Sequence, residues 1–517
     1  MSKKPSYYVT TPIYYVNDVP HIGHAYTTLA CDFLARFKRL DGFDVMFLTG
    51  TDEHGQKVEK SADAKGVDPQ TFTDGVSQRF RDLAEAMNFS NDQFIRTTEE
   101  RHKLAVQDIW RRAKDNGFIY EDKYAGWYAV RDEAYYSENE LIEGEGGAKL
   151  APTGAPVEWV EEPSFFFKLS AFEDRLIEFY EAQPDFVRPQ SRLNEVMSFV
   201  KGGLEDLSVS RTSFKWGIPV PDSDDHVVYV WFDALTNYLT AIGYPDMDSE
   251  GMDTYWPADV HIVGKDILRF HAVYWPAFLM AAGIETPHRV FAHGWWTNEG
   301  QKISKSLGNV IDPFELIEEF GLDAVRYFLL REVPFGNDGD FSRQSFVNRC
   351  NSDLANGLGN MTQRTLSMIA KNCDALVPSP GAFTDDDEKL LSDIAATLAT
   401  VRAEMDNQAF HLALDAIWRQ VAAGDIYISN EEPWKLKKTD PDRMATVLYV
   451  MAEAVRNLAI LAQAIIPESA AKILDQLSVD EDSRGFADLG KAGRLTAGTE
   501  LPKPQGVFPR LELSAEE

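Results

Sequence analysis

Cysteine is almost missing from this chain: three occur in 517 residues, Cys31, Cys350 and Cys373, widely separated and in no paired pattern. That excludes a disulfide framework and a cysteine-rich metal site, and it points to a reducing compartment. Long apolar runs are missing too. No stretch of about 18 or more apolar residues occurs, so no membrane span is expected. The opening Met1-Ser2-Lys3-Lys4-Pro5-Ser6 leads into strand-like sequence where a signal peptide would place an apolar core. The expectation is a cytoplasmic protein. There is no internal repeat and no low-complexity tract. Basic charge is also scarce, with 51 Lys and Arg against 82 Asp and Glu for a net charge of −31. Net charge governs solubility and steering rather than fold. A nucleic-acid partner therefore requires a local concentration of Lys and Arg.

What is present describes an ordinary globular chain, 44% hydrophobic and 26% charged. Its length exceeds what one core usually supports, so about two or three domains are expected. Tyr7 to Thr11 and Val45 to Thr49 are β-branched and aromatic runs, and between them Leu29, Phe33, Leu34, Phe37 and Leu40 recur at helical spacing. This is a strand–helix–strand unit of a parallel sheet, with a right-handed crossover expected. From about Phe118 to Asp225 glycine and proline become frequent and short aromatic segments appear, which reads as an insertion of short strands and loops. Parallel-sheet texture returns at Val227 to Phe232, Val260 to Gly264 and Arg289 to Ala292, with a helix over Ile267 to Met280. Beyond Ser345 the pattern is helical, with apolar stripes over Leu391 to Val401, Ala409 to Ala423 and Ala445 to Ile466. The last forty or so residues, richer in Gly and Pro, are expected to pack back on the surface. The fold class is α/β. A Rossmann-type parallel-sheet catalytic domain (1–117 and 226–296) is split by an inserted α+β domain (118–225), and a linker region with a signature loop (297–348) leads to an all-α helix bundle with a tail (349–517).

Three segments carry chemistry. His21-Ile22-Gly23-His24 opens the first helix, where backbone amides, two imidazoles and an unobstructed glycine suit phosphate; a metal pair or a capping accident are the other readings. Lys302-Ile303-Ser304-Lys305-Ser306 lies between Asn298-Glu299-Gly300 and Gly308-Asn309, and lysines on a mobile loop suit charge that develops on a transferring phosphate. Gly264-Lys265-Asp266-Ile267-Leu268-Arg269-Phe270-His271 follows a strand and opens a helix. Gly264 and Asp266 there stand where ribose or ammonium can be held at the sheet's carboxyl edge.

The first two motifs in this order, on a parallel sheet with an insertion, resemble the class I aminoacyl-tRNA synthetases. Thr11-Pro12-Ile13-Tyr14-Tyr15-Val16-Asn17, Gly50-Thr51-Asp52-Glu53-His54-Gly55 and Trp231-Phe232-Asp233-Ala234-Leu235-Thr236-Asn237-Tyr238 narrow the resemblance to the methionyl-tRNA synthetase family. The resemblance implies ATP contacts from His21, Gly23, His24, Gly264, Asp266, Lys302, Ser304 and Lys305, with His21, His24, Lys302 and Lys305 as the catalytic set that stabilises phosphate charge. It implies a methionine pocket of Ile13, Tyr15, Trp231, Ala234 and Leu235 together with Tyr238, Ile267 and His271, and an ammonium held by Asp52. A thioether favours aromatic edges by up to about 1.5 kcal/mol per contact, with Tyr15 or His271 offering a polar contact to sulfur. It further implies ATP with Mg2+ as substrate, attack by the 2′-hydroxyl of the terminal adenosine, and initiator and elongator methionine tRNAs as partners. No long editing insertion is present, so homocysteine has to be rejected in the synthetic site itself.

One departure stands out. Many relatives carry zinc knuckles in the insertion, whereas Ala129 and Asp132 here replace the first cysteine pair and the second is missing around Lys149 to Gly154. Structural zinc takes four S or N ligands, so none is expected, and the aromatics Trp127, Tyr128, Tyr135, Tyr136 and Phe165 to Phe167 must hold the insertion, which is expected to guide the tRNA acceptor end. The family reads the anticodon with its helix bundle, and Asn360, Arg364 and Trp434 match, with Lys435, Lys437 and Lys438 beside the indole. The chain ends at Glu517, before any appended dimerisation module of the kind some relatives carry, so a monomer is expected. The rival readings are a synthetase for another apolar or sulfur amino acid, a silent RNA-binding relative, and a small-molecule adenylyltransferase.

Overall fold

The computed structural model describes residues 4–16, 19–303 and 308–513. The chain divides into two compact units. The first joins Pro5–Pro20 to Val45–His293, and the second is built chiefly from His21–Asp44 and Gly294–Glu517.

The first unit is organised by a parallel sheet. Its strands run in the order Val187–Arg188, Val290–His293, Val260–Gly264, Ser6–Thr10, Asp44–Asp52, Tyr14–Tyr15, with Gln93–Arg96 also paired to Asp44–Asp52. The central strands are buried along their length, which is why they read as continuous apolar runs without alternation. The register sets two pairs side by side at the carboxyl edge: Tyr15 stands opposite Asp52, and Gly264 opposite His293.

Val227 to Phe232 is not one strand. Val227–Val228 pairs antiparallel with Ser210–Arg211, and a short helix begins at once, Val230–Leu235. A short apolar run fits a buried strand and a buried helix equally well; here the helix wins because it buries Phe232 and Leu235 while turning the Asp233 carboxyl onto two histidines. Nor is Ile267 to Met280 one regular helix. A 3-10 turn, Lys265–Ile267, is followed by a π-helical turn, Phe270–Tyr274, and only then by the α-helix Trp275–Ala282. Single π turns inside helices recur at functional sites.

The insertion contains long strands. Ile119–Ala129 and Glu158–Phe167 pair antiparallel from Ile119↔Phe167 to Tyr128↔Glu158, flanked by Ala134–Tyr136 and Leu207–Ser208. Charged residues on the solvent-facing side hide the strand period from a search for apolar runs.

The second unit holds the helix Ile22–Leu40 and the bundle. Among the described residues, Pro441–Ala462 is long and apolar enough to cross a membrane, but 94% of its apolar window is buried. It packs against Asn360–Asn372, Asp385–Asp406, Phe410–Glu431 and Pro467–Gln476 and so serves as the bundle's core. The C-terminal segment does return: the Asn351 side chain pairs with both the carbonyl and the amide of Leu511, at 2.9 and 2.8 Å.

Candidate active site

In the first unit, the sheet's carboxyl edge and the helix Val230–Leu235 bring several of the expected site residues into one region. Asp52 ends its strand with one carboxyl oxygen, Oδ1, buried and without a hydrogen-bond partner. Burial raises its pKa well above the carboxylate range, with Asp233, Glu133 and Glu53 adding to the rise. Two of those neighbours are compensated. Glu53 accepts from Arg96 at 2.6 and 2.9 Å, and Asp233 lies 2.6 Å from His54 and 2.8 Å from His102. Burial alone would raise Asp233, but the two histidines outweigh it and hold the carboxylate below its usual range. Asp52 is thus a buried acid short of a cation, in a field that attracts one.

Aromatic rings gather where the helix Val230–Leu235 meets the π-helical turn Phe270–Tyr274. The Trp231 indole stacks flat on Phe270, with centroids 3.7 Å apart and planes 6° from parallel. His271 meets Trp231 edge-on at 6.2 Å. Ile13, Tyr15, Trp231 and Ile267 are partly buried against the core, while Ala234, Leu235 and Tyr238 are fully buried. The His271 ring is fixed in one tautomer. Nδ1 lies 3.0 Å from the Ile267 carbonyl, which only accepts, so Nδ1 carries the proton and Nε2 accepts from the Tyr238 hydroxyl at 2.7 Å. The Tyr15 hydroxyl is likewise committed, donating to Glu133 at 2.7 Å. Both polar groups expected to approach a thioether are hydrogen-bonded within the chain, Tyr15 to Glu133 and His271 to Ile267 and Tyr238. A Cβ on Gly264 would lie 2.6 Å from Asp266 Oδ1, so a larger residue there would displace that exposed carboxylate.

Burial lowers His271 from 6.5 to about 4. The unfolded imidazole takes up its proton near 6.5 and the folded one only near 4, so acidification through that window favours the unfolded chain. The urea midpoint of this protein should accordingly fall more steeply from pH 6.5 towards 4 than that of His271→Gln.

The second unit carries the other two motifs. His21 caps the helix Ile22–Leu40, its Nδ1 accepting from the Gly23 amide at 3.1 Å, while His24 Nδ1 accepts from the His21 amide at 3.1 Å. A Cβ on Gly23 would lie 3.0 Å from the His21 ring, so the glycine makes room for the imidazole. The Ile22 amide reaches the Ile311 carbonyl, and those of His24 and Ala25 reach the His21 carbonyl. The helix-end amides offered to phosphate by the sequence are therefore all engaged within the chain. Burial lowers the pKa of both rings, and with Nδ1 accepting, the neutral rings carry their protons on Nε2.

Trp296–Asn298 and Gln301–Lys302 form a hairpin across Glu299 and Gly300, both with positive φ, 50° and 76°. The hairpin is pinned by Gly300 and Thr297 donating to Asp340, and by Asn298 donating to the Asn309 carbonyl. Trp296 packs edge-on against Tyr26 at 5.6 Å, which ties this hairpin to the helix that begins at His21. Ser304, Lys305 and the Lys302 side chain lie outside the described residues.

In the bundle, the Arg364 guanidinium lies 5.7 Å from the Trp434 ring centre, Asn360 is exposed one turn away, and Trp434 is 43% exposed. Lys437 and Lys438 are exposed one turn beyond it, while Lys435 pairs with Glu432 at 2.6 Å.

Where zinc ligands stand in other chains, Asp132 accepts from the hydroxyls of Tyr136 and Thr153, and Ala129, Ala151 and Ala155 form a small buried cluster. This corner is therefore held by methyl groups and hydrogen bonds as well as by the Tyr128–Tyr135 contact at 4.7 Å. Alanines offer a metal nothing, so the residues present do not fit a zinc tetrad. Glu133, Phe270 and the Asp233–His54–His102 group were not singled out from sequence; Phe270, Asp233 and His54 lie inside the motifs, whereas His102 carries no such signal.

Comparison with known proteins returns one consistent result. A family model described as tRNA synthetases class I (M) matches residues 7–366, and one described as the anticodon binding domain of methionyl tRNA ligase matches residues 377–517. The methionine–tRNA ligase of Mesorhizobium japonicum is 59% identical over 507 residues, 98% of each chain, and that of Brucella suis is 58% identical over the same span. Mycobacterium tuberculosis methionyl-tRNA synthetase in complex with methionyl-adenylate superposes with a TM-score of 0.95 at 55% identity, covering 98% of this chain and 100% of the other.

Proposed function

Since this chain belongs to the class I tRNA synthetases of the methionine type, we propose that it joins methionine to tRNA in two steps. The methionine carboxylate attacks the α-phosphorus of ATP, which enters as its magnesium complex; the bond to the β-phosphate oxygen breaks, pyrophosphate leaves and methionyl-adenylate remains. The 2′-hydroxyl of the tRNA's terminal adenosine then attacks the acyl carbon, and AMP leaves with the bonding pair. The observation that carries the amino-acid choice is Asp52 Oδ1, buried and without a hydrogen-bond partner among the described residues, in the unit that also holds the stacked rings of Trp231 and Phe270. An α-ammonium supplies the missing cation, and the stacked rings suit a polarizable thioether.

His21, His24, Lys302 and Lys305 are the groups we assign to phosphate charge, with the two imidazoles acting through Nε2–H rather than through the helix amides. Gly264 and Asp266 are assigned to the nucleotide. The corner at Asp132 supports a zinc-free insertion over 118–225. Three widely spaced, free cysteines support a cytoplasmic enzyme, and a monomer serving initiator and elongator tRNAs is the working assignment.

ATP–pyrophosphate exchange across the amino acids tests the reading: exchange with methionine is expected, and exchange with leucine or cysteine but not methionine would overturn it. Trp434→Ala should leave methionine-dependent exchange unchanged while lowering kcat/KM for tRNA charging about tenfold to a hundredfold, because stacking on an exposed ring is worth about 1–3 kcal/mol per base.

A further inference from the structure

Glu133 lies in the insertion, 118 residues from Tyr15, yet its carboxylate is buried against the Tyr15 hydroxyl at 2.7 Å. The Lys57 amide donates to the same oxygen at 3.1 Å, and the Tyr128 hydroxyl lies 3.4 Å from the other. Three separate segments have been shaped around this contact. Glu133 itself adopts a left-handed backbone, φ 50°, in the turn between Ile119–Ala129 and Ala134–Tyr136. That conformation is uncommon and unfavourable for a residue with a long side chain, and such outliers persist where surroundings over-determine them. Gly55, φ 114°, leaves the space the pair occupies: a Cβ there would lie 2.8 Å from the Tyr15 hydroxyl and 2.9 and 3.0 Å from the two Glu133 oxygens. Tyr15 in turn stands opposite Asp52 in the sheet.

We propose that Glu133 is a positioning residue for methionine binding, which acts by holding the Tyr15 ring at the wall of the pocket with its hydroxyl proton turned away from the amino acid. Glu133 never touches methionine. It makes the inserted domain responsible for the setting of one side chain of the amino-acid site, and this rests on the assignment of that site to methionine. The carboxylate can only accept, so the Tyr15 oxygen faces its other neighbours as an acceptor. A ligand with a proton on sulfur can donate to that oxygen, whereas a thioether cannot, so packing against a fixed ring must favour the methyl group. A ring free to rotate would lose that selectivity first.

The test is steady-state ATP–pyrophosphate exchange with methionine, homocysteine and ATP varied in turn, for the unmodified chain, Glu133→Ala, Glu133→Gln, Tyr15→Phe and the Tyr15→Phe/Glu133→Ala pair. Losing a hydrogen bond to a charged group corresponds to about a tenfold change or more. Glu133→Ala should therefore raise the methionine KM about tenfold, narrow the preference over homocysteine, and leave the ATP KM and kcat within about twofold. Glu133→Gln keeps an acceptor for Tyr15 and Lys57 and should restore the methionine KM to within about threefold. On the Tyr15→Phe background, Glu133→Ala should add little, since the two act through one bond. Equal rises in the methionine and ATP KM values, or additive effects in the pair, would overturn the proposal. If Glu133→Ala does not fold, Glu133→Gln against Tyr15→Phe still decides: a Gln variant as impaired as the Phe variant overturns it. Failure of the unmodified chain to exchange methionine would instead sink the functional reading, so the two failures are distinguishable.

Discussion

Asp52→Asn is expected to lower kcat/KM for methionine in the exchange reaction by about a hundredfold to a thousandfold while leaving the protein as stable as before, or more so. The two halves of that result have one cause. Asp52 is buried, one of its oxygens has no partner, and the charges that act on it most are those of Asp233, Glu133 and Glu53. In the free chain the carboxylate is therefore an unfavourable charge, and an isosteric amide relieves the repulsion. With an α-ammonium bound, the same charge becomes half of a desolvated ion pair. Leaving the other half uncompensated costs about 3–5 kcal/mol, which converts to a loss of that size. A residue whose role is only structural would move the two readouts together. Measuring the urea midpoint alongside exchange separates them: a destabilised Asp52→Asn with proportionate loss for ATP and methionine alike would mean that Asp52 does not hold the ammonium.

The parts of this site legible in the sequence are those whose neighbours in space are neighbours in the chain. Gly264 to His271 could be read because a strand end and the helix after it bring their own residues to one edge. The Asp52 segment could be read for the same reason, at the end of a buried strand. What stayed illegible depends on contacts across the fold. His54 and Asp233 are 179 residues apart, His102 and Asp233 are 131 apart, and nothing local marks Asp233 as the acid that joins them. The π-helical turn at Phe270–Tyr274 is hidden for a related reason, because an apolar segment buried on all sides has no periodicity to betray its winding. The helix at Ile22 is the instructive case. Its sequence suggests amides open to phosphate, and only the positions of His21 Nδ1, the His21 carbonyl and the Ile311 carbonyl show them to be taken. Residue types at a helix end fix what could bind, but the cap geometry decides which atoms are left to do it.

The same limit applies to Arg326, which carries the second large effect. Its side chain is fully buried in the second unit, where it donates to Asp32 at 2.7 Å and to the carbonyls of Ile465 and Ala464 at 3.0 and 3.1 Å. Those carbonyls lie just past the C-terminal end of the helix Pro441–Ala462, the core of the bundle, where a cation also suits the negative end of the helix dipole. Asp32 lies within the helix that begins beside His21, and Arg36, which also pairs with it at 2.8 Å, is partly exposed. One guanidinium thus ties the helix Ile22–Leu40 to the helical bundle. Arg326→Met keeps the bulk but leaves the buried Asp32 to the partly exposed Arg36 and two carbonyls short of donors. The expected cost is about 3–5 kcal/mol, seen as a fall of about 10 °C in the melting of this unit. Adding Asp32→Asn should recover part of that loss, since the buried charge that has lost its buried partner goes with it. In exchange kinetics the ATP KM should rise several-fold while the methionine KM is spared, because His21 and His24 ride on the loosened helix, whereas Asp52 and Trp231 belong to the other unit. A variant that melts as the unmodified chain does would show that the buried pair only replaces what water would otherwise supply.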